Sequence, residues 1–239
     1  IADLFGAEIR AIATSAMREA ANGKDIAKKI YKETGIHVEI ITSEQEGHFA
    51  YIGAVYSLEL ARKDVTVIDI GGGSIQMARG VSGMLSLSTG FPLGVVRMSE
   101  RFFSEGYTEQ KVRELKLHIG ELLSPVIDKY TGSKIVGVSG TFKNLARITN
   151  GLPLKSAQNG LVITRAAIDE LRQDFPAMVI ENNLPRGLNP TRKDTIFAGI
   201  VIVQTLFEVL QADEIMVATF GVKAGAVIDL KNKRPFEGK

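Results

Sequence analysis

Val65-Thr66-Val67-Ile68-Asp69-Ile70-Gly71-Gly72-Gly73-Ser74-Ile75-Gln76-Met77-Ala78-Arg79 is the stretch on which the fold turns. Val65 to Ile70 is β-branched apart from Asp69, the pattern of a buried strand. A carboxylate near the end of such a strand is costly unless something there needs a negative charge. Three glycines follow, and their missing Cβ atoms let backbone N–H groups approach a ligand closely. Ser74 adds a hydroxyl, and Ile75 to Arg79 reads as the returning strand of a hairpin. Amides converging on one point make an anion nest, which phosphate commonly fills. An aspartate beside phosphate oxygens suits a hydrated magnesium ion. The stretch has neither the lysine and following helix of a P-loop nor the spaced glycines of a dinucleotide fingerprint. A plain hairpin turn capped by an aspartate uses the same residues, so the glycine triplet alone leaves function open.

Composition narrows the field. A chain of 239 residues is long enough for one large domain or two lobes. With 45% hydrophobic and 23% charged residues it has the balance of a globular protein with a sizeable core. A net charge of +2 supplies no basic field for nucleic acid. The absence of cysteine excludes disulfides, thiol catalysis and thiolate metal sites; it suits a reducing compartment, and a cytoplasmic location is expected. The longest apolar run, 196–203, is too short to span a bilayer, so no membrane partner is expected.

Outward from the glycine stretch, Ala7 to Ala13 and Val38 to Ile41 read as strands. Thr14-Ser15, Asp25, Thr42 or Ser43, Thr108 and Thr164 stand where helix caps belong, and Pro176 is expected to stop the last of these helices. Met84 to Ser88 reads as a third hairpin strand, and Lys134 to Val138 and Ile215 to Ala218 as further strands. Ile196 to Leu210 is apolar enough for a helix buried nearly all round. Strands running directly into helices at Ala13-Thr14 and Val138-Ser139 repeat one plan, which implies parallel strands flanked by helices. The expected division is a first lobe of residues 1–62, joined by the final helix 222–231, and a second lobe of 63–221 that carries the glycine-rich loop.

Ala-Thr-Ser-Ala-Met-Arg-Glu-Ala (13–20), Ser-Glu-Gln-Glu-Gly (43–47), Asp-Ile-Gly-Gly-Gly-Ser (69–74), Gly-Val-Val-Arg-Met-Ser-Glu-Arg-Phe (94–102), Ser-Gly-Thr (139–141) and Arg-Lys-Asp (192–194) stand in this order. Together they resemble the exopolyphosphatase/guanosine pentaphosphate phosphatase (Ppx/GppA) family, over nearly the whole chain. The resemblance implies a two-lobed actin-like, sugar-kinase-like (ribonuclease H-like) α/β fold. It implies magnesium-dependent hydrolysis of a terminal phosphoanhydride in inorganic polyphosphate or guanosine pentaphosphate, and a homodimer is among its expectations. An ATP-binding kinase or ATPase of the same superfamily, and a non-catalytic polyphosphate or alarmone sensor, are the alternatives.

Residue by residue, the resemblance makes Glu46 the catalytic base. Standing alone, Glu44 and Glu46 read more readily as carboxylates stabilised by a helix N-terminus, and it is the motif around Glu46 that reverses the preference. Asp69 would hold magnesium, and Gly71, Gly72, Gly73 and Ser74 the terminal phosphate. Arg18 would meet the next phosphates, because a guanidinium fork matches phosphate oxygens. Ser139, Gly140 and Thr141 open a helix whose N-terminus would bind another, or would simply be capped. His37, His48 and His118 share no metal-binding spacing. The chain departs from the family pattern at Ile75-Gln76, which stands for Thr-Glu and removes a carboxylate beside the metal, and at Lys223-Ala224, which stands for Arg-Glu. The family's first phosphate loop would lie upstream of Ile1, so the first lobe is expected to be incomplete at its N-terminus.

Overall fold

Alternation along one strand sets out the molecule. The computed structural model describes residues 6–233, and β3 (Asp64–Ile70) runs through its centre, buried except at its first residue. Because side chains alternate faces with period two, Val65 and Val67 pack on one side of the sheet and Ile68 and Ile70 on the other. Asp69 therefore shares the face of Val65 and Val67. β3 pairs antiparallel with β4 (Ile75–Val81), and β4 with β5 (Met84–Phe91). On its other edge β3 pairs in parallel with β6 (Lys134–Val138), and β6 with β8 (Glu214–Val217). β7 (Val162–Thr164) closes the row antiparallel to β8. The sheet order is β5-β4-β3-β6-β8-β7, a hairpin meander joined to strand–helix crossovers.

The face of Ile68 and Ile70 carries the larger core. It is covered by α4 (Val95–Phe102), α5 (Glu109–Leu123), α6 (Ser139–Thr149), α7 (Arg165–Ile180) and α8 (Ile196–Leu210). All but two residues of α8 are buried, as its all-round apolar sequence requires. The opposite face is covered by α3 (Ser43–Ser57), which packs on β3, β4 and β5 and against α9 (Val222–Lys233). A second, two-stranded parallel sheet pairs β1 (Ala11–Ala13) with β2 (Val38–Ile40), and α1 (Ser15–Glu19) and α2 (Gly23–Thr34) accompany it. Arg10 fastens this sheet to α9 by donating to the Ala226 carbonyl at 3.0 Å while pairing with Glu39 at 3.0 Å. Among the described residues no helix is long and apolar enough to cross a membrane.

Two expectations are corrected. The first strand occupies Ala11–Ala13, not Ala7 to Ala13. α7 passes through Pro176 to Ile180. A mid-helix proline forfeits one backbone hydrogen bond and costs about 3 kcal/mol, but Phe175 is fully buried and packs against Phe197 and Tyr107, with ring centroids 5.8 and 6.3 Å apart. That anchor holds the turn on which the proline sits. β7 is a further strand whose three residues present no readable alternation in the sequence. Arg62 and Lys63 lie in the turn between α3 and β3, and Asp64 opens β3. α3 itself, assigned to the first lobe with residues 1–62, rests on the six-stranded sheet.

Where α3 crosses α9 the backbones nearly touch: a Cβ on Gly225 would overlap the Phe49 carbonyl, and one on Gly53 the Gly221 carbonyl. Gly225→Ala is expected to cost about 1–3 kcal/mol, the usual penalty of overpacking. Gly120→Ala makes the same change on α5, where a Cβ meets nothing within 4 Å, and is expected to gain up to about 1 kcal/mol from helix propensity. Urea midpoints of both variants check the pair, and a neutral Gly225→Ala would contradict so close a crossing.

Candidate active site

The glycine loop takes its shape from α4. Val95 N–H donates to the Gly71 carbonyl at 3.0 Å, and Val96 and Arg97 N–H donate to the Gly72 carbonyl at 2.9 and 3.3 Å. The Arg97 side chain completes the series, with Nε on the Gly73 carbonyl at 2.9 Å. Three successive carbonyls are thus turned into the protein by one helix N-terminus, and a Cβ on Gly94 would block the approach by striking Gly72. Gly71 N–H is spent on the Ser74 carbonyl at 2.9 Å. The amides of Gly72, Gly73 and Ser74 have no protein acceptor among the described residues. These are the unpaired donors of an anion nest.

α3 carries Glu46, within electrostatic reach of Asp69. Thr42 caps that helix in a reciprocal box with Gln45, which sets Glu46 in the first turn with 7% of its surface exposed. Its two candidate roles part here. Glu44 is exposed, and hydrogen bonds from its own backbone and from Thr42 hold its carboxyl below the usual range, as a helix-end acid should behave. Burial raises the proton affinity of Glu46, against a lowering pull from Arg18. Arg18 Nη1 reaches Glu46 at 3.1 Å and the Ile41 carbonyl at 2.9 Å, and its Nη2 reaches Ser43 Oγ at 3.3 Å. Asp69 lies close enough for Glu46 to raise its pKa. Burial is the larger cause, Lys143 opposes both, and the result is a pKa of about 7.

Gln76 sits directly across the ladder from Asp69, on the same face. It is 1% exposed. Its Nε2 donates to Ser74 Oγ at 2.8 Å and to Ser43 Oγ at 3.4 Å, while its Oε1 is buried without a hydrogen-bond partner. Among the described residues no three His, Asp or Glu side chains converge as a metal cluster. The Asp69 carboxylate and the orphaned Gln76 oxygen are nonetheless the hard oxygen donors that magnesium prefers, so the residues fit such an ion beside bound phosphate.

Beyond Asp69, α6 presents its N-terminus to a cavity of about 420 Å³ lined by Asp69, Ser139, Gly140, Lys143, Phe220 and Lys223, among others. Ser139 adopts φ +99°, a strained conformation for a residue with a side chain. Its amide and that of Gly140 have no protein acceptor among the described residues. Thr141 is spent otherwise: it is buried, and its hydroxyl donates to the Ile70 carbonyl at 3.1 Å. Lys143 Nζ donates to the Thr219 carbonyl at 3.1 Å, and burial lowers its pKa against the pull of Asp69. The Arg192 guanidinium lies against Gly140, and burial lowers its pKa too. A second cavity of about 570 Å³ is lined by Ser15, Glu19, Gly72, Gly73 and Arg97, among others.

Glu46, Asp69, the glycine loop, Ser74 and Arg18 are therefore gathered together, with Ser139 and Gly140 at one side. Arg18 rests on Glu46 rather than reaching the loop. Sequence reasoning passed over Arg97, Lys143 and Arg192 as site residues. Each lies in or beside a quoted motif, and a cation one helical turn beyond a small-residue helix start was the available signal for Lys143.

The model of the Ppx/GppA phosphatase family matches residues 1–234. Exopolyphosphatase 1 of Mycobacterium tuberculosis (strain ATCC 25618 / H37Rv) is 24% identical over 229 residues, 93% of this chain and 67% of the relative. The bifunctional 3-dehydroquinate synthase/phosphatase of Fusobacterium nucleatum is 26% identical over 230 residues, 92% of this chain but 34% of the relative. The chain thus spans about a third of one relative and two thirds of the other. The crystal structure of the Aquifex aeolicus Ppx/GppA family member superposes with a TM-score of 0.84 at 30% identity, covering 98% of this chain and 78% of that one. The fold is the actin-like α/β fold of these solved proteins.

Asp69 binds its proton more tightly folded than unfolded, where its pKa is about 4. Between that value and about 7 the native state carries more protons, so stability falls as pH rises through this window. Asp69→Asn removes the titration. Thermal unfolding at pH 5.5 and 8 without divalent cation is expected to show a smaller loss for the variant than for the wild type, with about 2–4 °C per kcal/mol at this chain length. Equal losses would contradict the assignment.

Proposed function

The chain belongs to the Ppx/GppA phosphatase family, and on that footing we propose that it hydrolyses the terminal phosphoanhydride of a linear phosphate chain. The substrate is inorganic polyphosphate, guanosine pentaphosphate or both. The observation that carries this reading is the set of unpaired amides at Gly72, Gly73 and Ser74, joined to a buried Glu46 through the hydrogen-bonded chain of Ser74, Gln76, Ser43 and Arg18.

In this mechanism the amides and the Ser74 hydroxyl hold the terminal phosphate. Glu46 accepts a proton from water as the water attacks the terminal phosphorus, and its raised proton affinity suits a base working near neutrality. Arg18 keeps the Glu46 carboxylate directed into the cleft, and its fork suits the neighbouring phosphate. Asp69 would hold a magnesium ion, which would supply charge compensation to the phosphate oxygens. The Ser139 and Gly140 amides, with Lys143, Arg192 and Lys223, receive the remaining chain along the 420 Å³ cavity. Orthophosphate and a chain one residue shorter are the products.

Orthophosphate release from polyphosphate, guanosine pentaphosphate and ATP tests the proposal. Glu46→Gln is expected to reduce kcat by about 10²–10⁴-fold, the range for loss of a general base, with little change in KM. Wild-type turnover in this variant would overturn the role of Glu46. Binding of polyphosphate with no release by the wild-type protein would favour a sensor over an enzyme.

A further inference from the structure

The buried carboxamide of Gln76 is the least explained polar group of the site. It is fully enclosed, it lies directly across from Asp69, and its Oε1 has no donor. An unsatisfied buried acceptor is costly, so a group that completes it on binding recovers that loss. Its orientation is fixed from the other end, because Nε2 is held by Ser74 Oγ and Ser43 Oγ. With Nε2 engaged there, Oε1 is the carboxamide atom left without a partner, on a residue paired across the ladder with Asp69. The hydrogen bond also makes Ser74 Oγ an acceptor, which frees the hydroxyl hydrogen for the anion in the loop.

The charge inventory is equally informative. Asp69 is a single carboxylate, Glu46 is tied to Arg18, and no third acid joins them among the described residues. Lys143 lies within electrostatic reach of Asp69, which works against a cation there. One carboxylate and a neutral carbonyl next to a lysine make a poor site for a free divalent ion. Magnesium gives up its water reluctantly and commonly completes its shell with substrate phosphate.

Resting on the function proposed above, we propose that Gln76 makes cation binding depend on substrate. Its Oε1 serves as a neutral ligand, direct or through water, for a divalent ion that arrives with the phosphate chain, and the protein alone holds that ion weakly. Gln76 then decides the order of assembly: cation and phosphate enter together.

The test measures binding, with Mn²⁺ as the probe and imidodiphosphate, whose bridging nitrogen resists hydrolysis, as the phosphate. Mn²⁺ alone is expected to bind the wild-type protein at least tenfold more weakly than the Mn²⁺–imidodiphosphate complex does. Gln76→Glu is expected to tighten binding of Mn²⁺ alone by at least tenfold, and to make the thermal midpoint depend on Mn²⁺ without phosphate. Gln76→Leu, which keeps the volume but has no oxygen, is expected to weaken binding of the complex. Equal affinity of the wild type for Mn²⁺ with and without imidodiphosphate would overturn the inference, as would a folded Gln76→Glu with unchanged Mn²⁺ affinity. Failure of imidodiphosphate to bind any form, with the gain in Gln76→Glu intact, would contradict the phosphate-loop function while upholding the neutral-ligand role of Gln76.

Discussion

Three carbonyl groups turned inward set the direction of everything else in the site. Gly71, Gly72 and Gly73 give their carbonyl oxygens to the first turn of α4 and to the Arg97 side chain. A peptide plane that points its oxygen one way points the N–H of the following residue the other. The amides of Gly72, Gly73 and Ser74 therefore face the cleft without a local acceptor. An anion placed there would satisfy donors that the fold otherwise leaves to water. The glycines serve close approach, since Gly94 must come against Gly72 for α4 to reach the loop.

A continuous chain of hydrogen bonds links that loop to the opposing acid. Glu46 binds Arg18, Arg18 binds Ser43, and Ser43 and Ser74 both accept from Gln76. It joins α1, α3 and β4, so a shift of α3 relative to the sheet would disturb base and phosphate loop together. The close crossing of α3 on α9 limits such shifts, and Arg10 ties α9 to the small sheet. The arrangement places Glu46 by packing remote from the chemistry.

Much of this was legible in the sequence because local rules and tertiary packing agreed. β-Branched residues around Asp69 marked a buried strand, and threonines at 42, 108 and 164 cap their helices as expected. Pro176 misled because the buried Phe175 outweighs one missing hydrogen bond. Asp69 and Gln76 could be named from sequence, but their pairing depends on a register that a three-glycine turn leaves open. Distinguishing Glu46 from Glu44 needed burial, since both suit a helix start. Lys143 lines the cleft through the crossover from β6 to α6, and Arg192 reaches its edge by lying against Gly140, contacts that no local pattern encodes.

The central claim is that three loop amides hold the terminal phosphate opposite Glu46. A crystal structure of Glu46→Gln with a short polyphosphate tests it most directly. The account predicts a terminal phosphate with oxygens about 3 Å from the nitrogens of Gly72, Gly73 and Ser74, and residue 46 on the side open to water. A phosphate chain bound away from the loop, or entering with its terminal group at the far end of the α6 cavity, would contradict it.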